Sequence, residues 1–220
     1  SHYKFFQKEF VLIDTAGIRK KAKVNEDLEF YSVIRAVKAL DEADICILML
    51  DAKMGLEKQD LSILSMAEKK RKGVVLVVNK WDLIEKATNT MKEMEDDIRK
   101  KVAPFKDIPI IFTSVTEKQR VFKVIETALE VQENRKRVIN EKELNEKMLK
   151  SIEQFPHPSV RGSFLEVKSV VQVPATTPTF IFWVNFPNDV KASYRQFLDN
   201  QLRTHFKFTG VPLNLFFRKK

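Results

Sequence analysis

Through the first 138 residues, short and wholly apolar runs alternate with longer segments in which apolar residues recur every three or four positions. EFVLIDT (9–15), DICILMLD (44–51), VVLVVN (74–79) and IPIIFTS (108–114) have the length and uninterrupted apolar character of buried strands. Between them, LEFYSVIRAVKALDEA (28–43) places Leu28, Tyr31, Ile34, Val37 and Leu40 on one helical stripe. KQDLSILSMAEKKRK (58–72), NTMKEMEDDIRKKVAPF (89–105) and RVFKVIETALEVQENRKR (120–137) also read as helices, with Gly73 stopping the first of these three. Strict alternation with apolar strands predicts an α/β fold, a parallel sheet covered by helices on both faces. Ligands in such folds sit beyond the carboxyl ends of the strands. Asp14, Asp51, Asn79 and Ser114 all stand at those ends.

Near residue 138 the rhythm changes. INEKELNEKMLKSIEQF (139–155) predicts a helix capped by Asn140, with Glu143 three residues on. HPSVRGS (157–163) is a turn-rich connection. FLEVKSVVQV (164–173) and TFIFWVNF (179–186), separated by PATTP, predict a hairpin-like pair of strands. DVKASYRQFLDNQLRTHF (189–206) follows as a helix and VPLNLFFRKK (211–220) as a last strand. The expected organisation is an α/β domain over 1–138 and a small α+β domain over 139–220.

Composition narrows the function classes. Of 220 residues, 44% are hydrophobic and 31% charged, an ordinary balance for a soluble globular protein. No apolar run approaches the roughly 18 residues that span a bilayer, and no signal-peptide pattern opens the chain, so a cytoplasmic protein without membrane attachment is expected. The one cysteine, Cys46, lies in an apolar run and reads as a small buried hydrophobe in a reducing compartment. A formal charge of +9, shared by both halves, points to a polyanionic partner, nucleic acid first. The three histidines have no metal-ligand spacing, and no Ser-His-Asp or paired-carboxylate arrangement stands out.

Asn79-Lys80-Trp81-Asp82 carries the most specific chemistry. A carboxylate presents two adjacent acceptors that match the N1–H and exocyclic N2 donors of guanine, a pair that adenine lacks. Asn79 can bridge the base N7 and neighbouring loops, and the Lys80 stem can lie along the purine face. The bland reading is an Asx-rich turn after a strand, with Lys80 solvated. LIDTAG (12–17) is the second signal: Asp14 can hold a water in a Mg²⁺ shell, and Gly17 lets a backbone N–H approach a terminal phosphate. Thr113-Ser114-Val115 is the third, with backbone N–H groups placed to meet the guanine carbonyl oxygen. The second and third are weak alone, and their order along the chain around the Asn79–Asp82 turn is what gives them weight.

The ordered set DTAG, NKWD and TSV resembles a translation-factor-type GTPase domain. VLIDTAGIRKKAKV with EFYSVIRAVKAL, and later YRQFLDNQLRTHFKFTGVPLNLFFRKK, resemble the EngA/Der family of bacterial proteins, which carry two consecutive GTPase domains and a C-terminal KH-like domain. The resemblance covers the whole chain. It implies a P-loop-GTPase-type sheet followed by a KH-like domain, and GTP or GDP with Mg²⁺ as ligands. It also implies a role in maturation of the large ribosomal subunit, with rRNA as partner; a monomer is expected. The implied nucleotide-binding residues are Asp14, Thr15, Ala16, Gly17, Asn79, Lys80, Asp82, Ser114 and Val115, with Asp14 also reaching Mg²⁺ through water.

A phosphate-cradling G-x-x-x-x-G-K-[ST] is excluded, because no two of Gly17, Gly55, Gly73, Gly162 and Gly210 are five apart. The chain is thus expected to be a fragment. Its P-loop, switch threonine and first GTPase domain would lie upstream, and it would hydrolyse no GTP by itself. The same glycines rule out the G-x-x-G clamp of RNA-binding KH domains, which the family's KH-like domain also lacks. Ile18 follows DTAG and cannot orient a water as the glutamine of Ras-type enzymes does; the resemblance implies help from K⁺, whose ligand would lie upstream. IRKKAKV reads equally as a moving switch segment or a solvated basic loop. Lys168, Tyr194, Arg195, Arg203, Phe217 and Arg218 are candidate rRNA contacts, whereas Phe180, Phe182, Trp183 and Phe197 are expected in the core. The other functional class is an RNA- or ribosome-docking module that needs no nucleotide.

Overall fold

A computed structural model describes residues 2–5, 7–13, 37–85, 87–158 and 164–219. It opens with an antiparallel hairpin of β1 (His2–Phe5) and β2 (Lys8–Val11). The parallel sheet has the order β3 (Ile45–Asp51), β4 (Gly73–Asn79), β5 (Ile110–Phe112). Every residue of β4 from Gly73 to Val78 is buried, as its unbroken apolar run requires. Its side chains alternate between two cores. Val74, Leu76 and Val78 join Leu48, Leu50, Leu64, Ala67 and Ile98, beneath α1 (Lys58–Lys69) and α2 (Thr90–Lys101). Val75 and Val77 face Val124 and Val131 of α3 (Val121–Arg135) on the opposite side. Helices thus cover both faces.

Two expectations change. The described part of EFVLIDT, residues 9–13, is not a buried parallel strand: Lys8–Val11 pairs with His2–Phe5 across a turn in which Gln7 is left-handed, and its residues are largely exposed. The hairpin lies on α3 instead, where Phe5 stacks on Phe122 at 5.6 Å and Lys8 pairs with Glu133. Nor does Gly73 end a helix. Arg71 takes the left-handed position (φ 57°), and Gly73 belongs to β4, where a Cβ would come within 2.5 Å of Ile45 Cδ1 and 2.7 Å of Val131 Cγ1. Its glycine serves close packing. Of the helix expected at 28–43, residues 37–42 are helical and Leu40 is in the core; the remainder lies outside the described residues.

The second unit comprises α4 (Glu141–Gln154), β6 (Val167–Val173), β7 (Thr179–Val184), α5 (Ala192–His205) and β8 (Asn214–Lys219). Asn140 caps α4 by accepting from the N–H groups of Lys142 and Glu143. β6 and β7 are antiparallel and β8 joins β7 in parallel. Phe180, Phe182, Leu198, Leu202 and Phe208 fill the core between sheet and helices.

The two units are joined by more than the chain. The Gly210 N–H donates to the Asp107 carbonyl, and the Gly210 carbonyl accepts the Val74 N–H, both at 2.7 Å. Val211 enters the core of Val75, Val77 and Val131. Arg203 pairs with Asp107 and donates to the carbonyls of Phe208 and Val211.

Candidate functional site

Parallel register brings three polar strand ends to one rim. Asp51 of β3 stands beside Asn79 of β4, and Phe112 of β5 stands beside Val78, so Thr113 follows onto the same edge. Backbone bonds fasten the exits together. The Asn79 carbonyl accepts the Ala52 N–H at 2.9 Å, the Val78 carbonyl accepts the Thr113 N–H at 2.8 Å, and the Thr113 carbonyl accepts the Trp81 N–H at 3.0 Å. Trp81, 4% exposed, packs edge-on against Phe112 at 4.6 Å and pins the turn to the core.

That anchoring decides where the neighbouring side chains go. Asn79 accepts from Thr113 Oγ1 at 3.3 Å, and its Nδ2 donates to Met49 Sδ at 3.8 Å, so it ties the β3 and β5 exits to its own. Lys80 is left-handed (φ 62°, ψ 34°), a conformation that costs a non-glycine residue energy and is held here by its surroundings. Its ammonium pairs with Asp51 Oδ2 at 2.8 Å. Asp82 lies in the short 3₁₀ turn Trp81–Leu83, half-exposed. Its carboxylate has no hydrogen-bond or ion-pair partner among the described residues, so both acceptors are available to a ligand.

The 113–115 turn is selective about its amides. Thr113 N–H is used by Val78, and Ser114 N–H donates to the Gln119 carbonyl at 3.3 Å. Ser114 is fully buried, its hydroxyl accepting from Glu117 N–H. Val115 is exposed, and among the described residues its N–H alone of the three has no partner. Asp14, Thr15, Ala16 and Gly17 lie outside the described residues, and with them the phosphate and Mg²⁺ side of the expected site. No cluster of metal-ligating side chains occurs among the described residues.

Several of the residues proposed from sequence as rRNA contacts are engaged within the fold. Tyr194 and Phe217 are buried, Phe217 stacking on Phe182. Arg195 lies over the Phe217 ring and donates to the Leu215 carbonyl, while Arg203 is committed to Asp199, Asp107 and two carbonyls. Lys168 and Arg218 remain exposed. Phe180 and Phe182 are core as expected; Trp183 is half-exposed on the outer face of its sheet. Sequence reading assigned Asp51 no role, although it stood at the rim. Its pairing with Lys80 depends on strand register, which the residues alone do not display. Elsewhere, burial pushes the Cys46 thiol up to about 11 and the Tyr194 hydroxyl to about 12, the latter opposed by a backbone hydrogen bond at His157. Among the described residues no helix is long and apolar enough to cross a membrane.

Comparison with known proteins places these elements. The elongation factor Tu GTP-binding domain family matches residues 5–134, and the C-terminal KH-domain-like family of EngA bacterial GTPase enzymes matches residues 138–218. The chain is 50% identical to a GTPase Der of Flavobacterium johnsoniae over 212 residues, which cover 96% of this chain and 48% of that protein. It is also 50% identical to a GTPase Der of Bacteroides thetaiotaomicron over 222 residues, covering 100% of this chain and 51% of the relative. The chain therefore spans about half the length of the curated relatives it matches. Among solved structures, Era in complex with MgGDPNP and nucleotides 1506–1542 of 16S ribosomal RNA shares the fold, with a TM-score of 0.51, 19% identity, and coverage of 100% of this chain and 79% of that one.

Proposed function

Since the chain belongs to the EngA/Der family of bacterial GTPases, we propose that it is the C-terminal part of a cytoplasmic, monomeric GTP-binding protein that hydrolyses GTP and assists assembly of the large ribosomal subunit. Residues 1–138 form the part of the second GTPase domain that follows the P-loop and switch I, and residues 139–220 the KH-like domain. The carrying observation is the Asp82 carboxylate, held on a turn that Trp81 anchors and without a hydrogen-bond or ion-pair partner among the described residues. Beside it, Asn79 braces the exits, the Lys80 side chain is half-exposed and Val115 has an N–H without a partner among the described residues, a donor and acceptor set that fits guanine. A magnesium ion, when bound, supplies charge stabilisation at the phosphates; Asp14 and Gly17 are the residues of this chain assigned to that end, with K⁺ assisting in the longer protein. rRNA is the proposed partner, consistent with the +9 charge.

The test is base preference. Asp82→Asn replaces one acceptor with a donor and should weaken guanosine diphosphate while favouring xanthosine diphosphate; unchanged guanine preference would refute the assignment. The 220-residue chain alone should show no multiple turnover of GTP, since the phosphate cradle is absent from its sequence. Turnover abolished by Asp14→Ala would overturn that part.

A further inference from the structure

We propose that Asp51 is a positioning residue of the base site, acting through Lys80; this rests on the guanine-reading assignment above. Asp51 closes β3 directly beside Asn79 in the register. Its backbone carbonyl accepts the N–H groups of Met54 and Gly55, at 3.1 and 2.9 Å, and its Oδ1 accepts the Lys53 N–H at 2.9 Å. The carboxylate is thereby fixed from its own turn, and its side chain is only 16% exposed. Oδ2 then meets the Lys80 ammonium at 2.8 Å, although the Lys80 side chain is 56% exposed and otherwise free to sample many rotamers.

Lys80 is thus held at both ends. Its backbone is locked left-handed between Asn79 and the buried Trp81, and its ammonium is tethered to the neighbouring strand. The methylene stem between them is set in place before a base arrives, lowering the ordering cost of binding. Asp51 should accordingly govern affinity, and Asp82 the choice of base.

A double-mutant cycle separates these roles. Binding of guanosine, xanthosine and adenosine diphosphates is measured by calorimetry on the 220-residue chain, Asp51→Asn, Lys80→Met and the double variant. Asparagine keeps an acceptor for the Lys53 N–H, so Asp51→Asn removes chiefly the charge. It should weaken guanosine diphosphate roughly threefold to tenfold, the range for a partly buried ion pair, without altering guanine-over-xanthine preference. In the Lys80→Met background the same change should cost less than about twofold. Lys80→Met alone, at an exposed side chain that the fold does not need, should reproduce the loss. An equal loss with and without Lys80, or a change in base preference on Asp51→Asn, overturns the proposal. An unaltered chain with no guanosine-over-adenosine preference overturns the base-site reading itself and this proposal with it.

Discussion

Gly210 packs closely against the first unit, and replacing it with alanine tests whether the two units fold as one. At φ +77° an alanine pays the left-handed penalty, roughly 1–2 kcal/mol. Its Cβ would also lie 2.6 Å from Val131 Cγ2, 2.9 Å from the Val74 carbonyl oxygen and 3.1 Å from Pro109 Cδ. The valine methyl can yield, but the carbonyl belongs to the central strand and cannot move without disturbing β4. Overpacking of this kind costs about 1–3 kcal/mol, for a total near 2–5 kcal/mol. Gly55→Ala is the matched control, because φ is +68° there and nothing lies within 4 Å of a built Cβ. It carries the backbone penalty without the clash. Urea unfolding would be followed through Trp81 in the first unit and Trp183 in the second, each isolated by replacing the other with phenylalanine. The two probes should give one coincident transition in the parent chain, and Gly210→Ala should lower both midpoints by clearly more than Gly55→Ala. A Gly210→Ala loss no greater than that of Gly55→Ala, or a loss confined to one probe, would refute the argument.

Two further outcomes follow from buried ionisable groups. The Tyr194 hydroxyl is pushed to about 12 by burial, above its ordinary 10, so the folded state holds that proton more tightly than the unfolded state. Its contribution to stability is complete below pH 10 and is lost as the pH rises toward 12; Tyr194→Phe should remove the latest phase of tyrosinate absorbance in an alkaline titration of the folded chain. Cys46, raised to about 11 by burial, should react with a thiol-directed disulfide reagent at pH 8 far more slowly than the same chain in urea, and an equal rate would contradict its placement against the core.

Much of the central architecture was legible because burial on both faces leaves an unmistakable mark. The runs 45–50 and 74–78 could hardly be placed anywhere except inside a parallel sheet, and β3 and β4 lie there. EFVLIDT carries a similar mark, yet its residues 9–11 sit outside that sheet. Val11 and Leu12 are 53% and 43% exposed, and the strand's local partner, His2–Phe5, has too mixed a composition to announce itself. Gly73 and Gly210 show a different limit. Their neighbours are Ile45, Val131, Val74 and Pro109, brought together only by the tertiary fold, so the reason for glycine is invisible along the chain.

At the rim, residue types were readable and their division of labour was not. Thr113-Ser114-Val115 offers three amides to a base carbonyl on paper, and hydrogen-bond accounting removes two of them. A buried N–H must find a partner, so Thr113 completes the ladder to Val78 and Ser114 closes the loop to Gln119, leaving Val115 at the surface. The same logic acts on charge. Lys80 and Asp82 are near neighbours in sequence and invite pairing with one another, but the left-handed turn at Lys80 sends its ammonium to Asp51. With the lysine paired to Asp51, the Asp82 carboxylate makes no ion pair among the described residues. How tightly this turn holds a base, though not which base it selects, therefore depends on a strand end that makes no claim to touch the base.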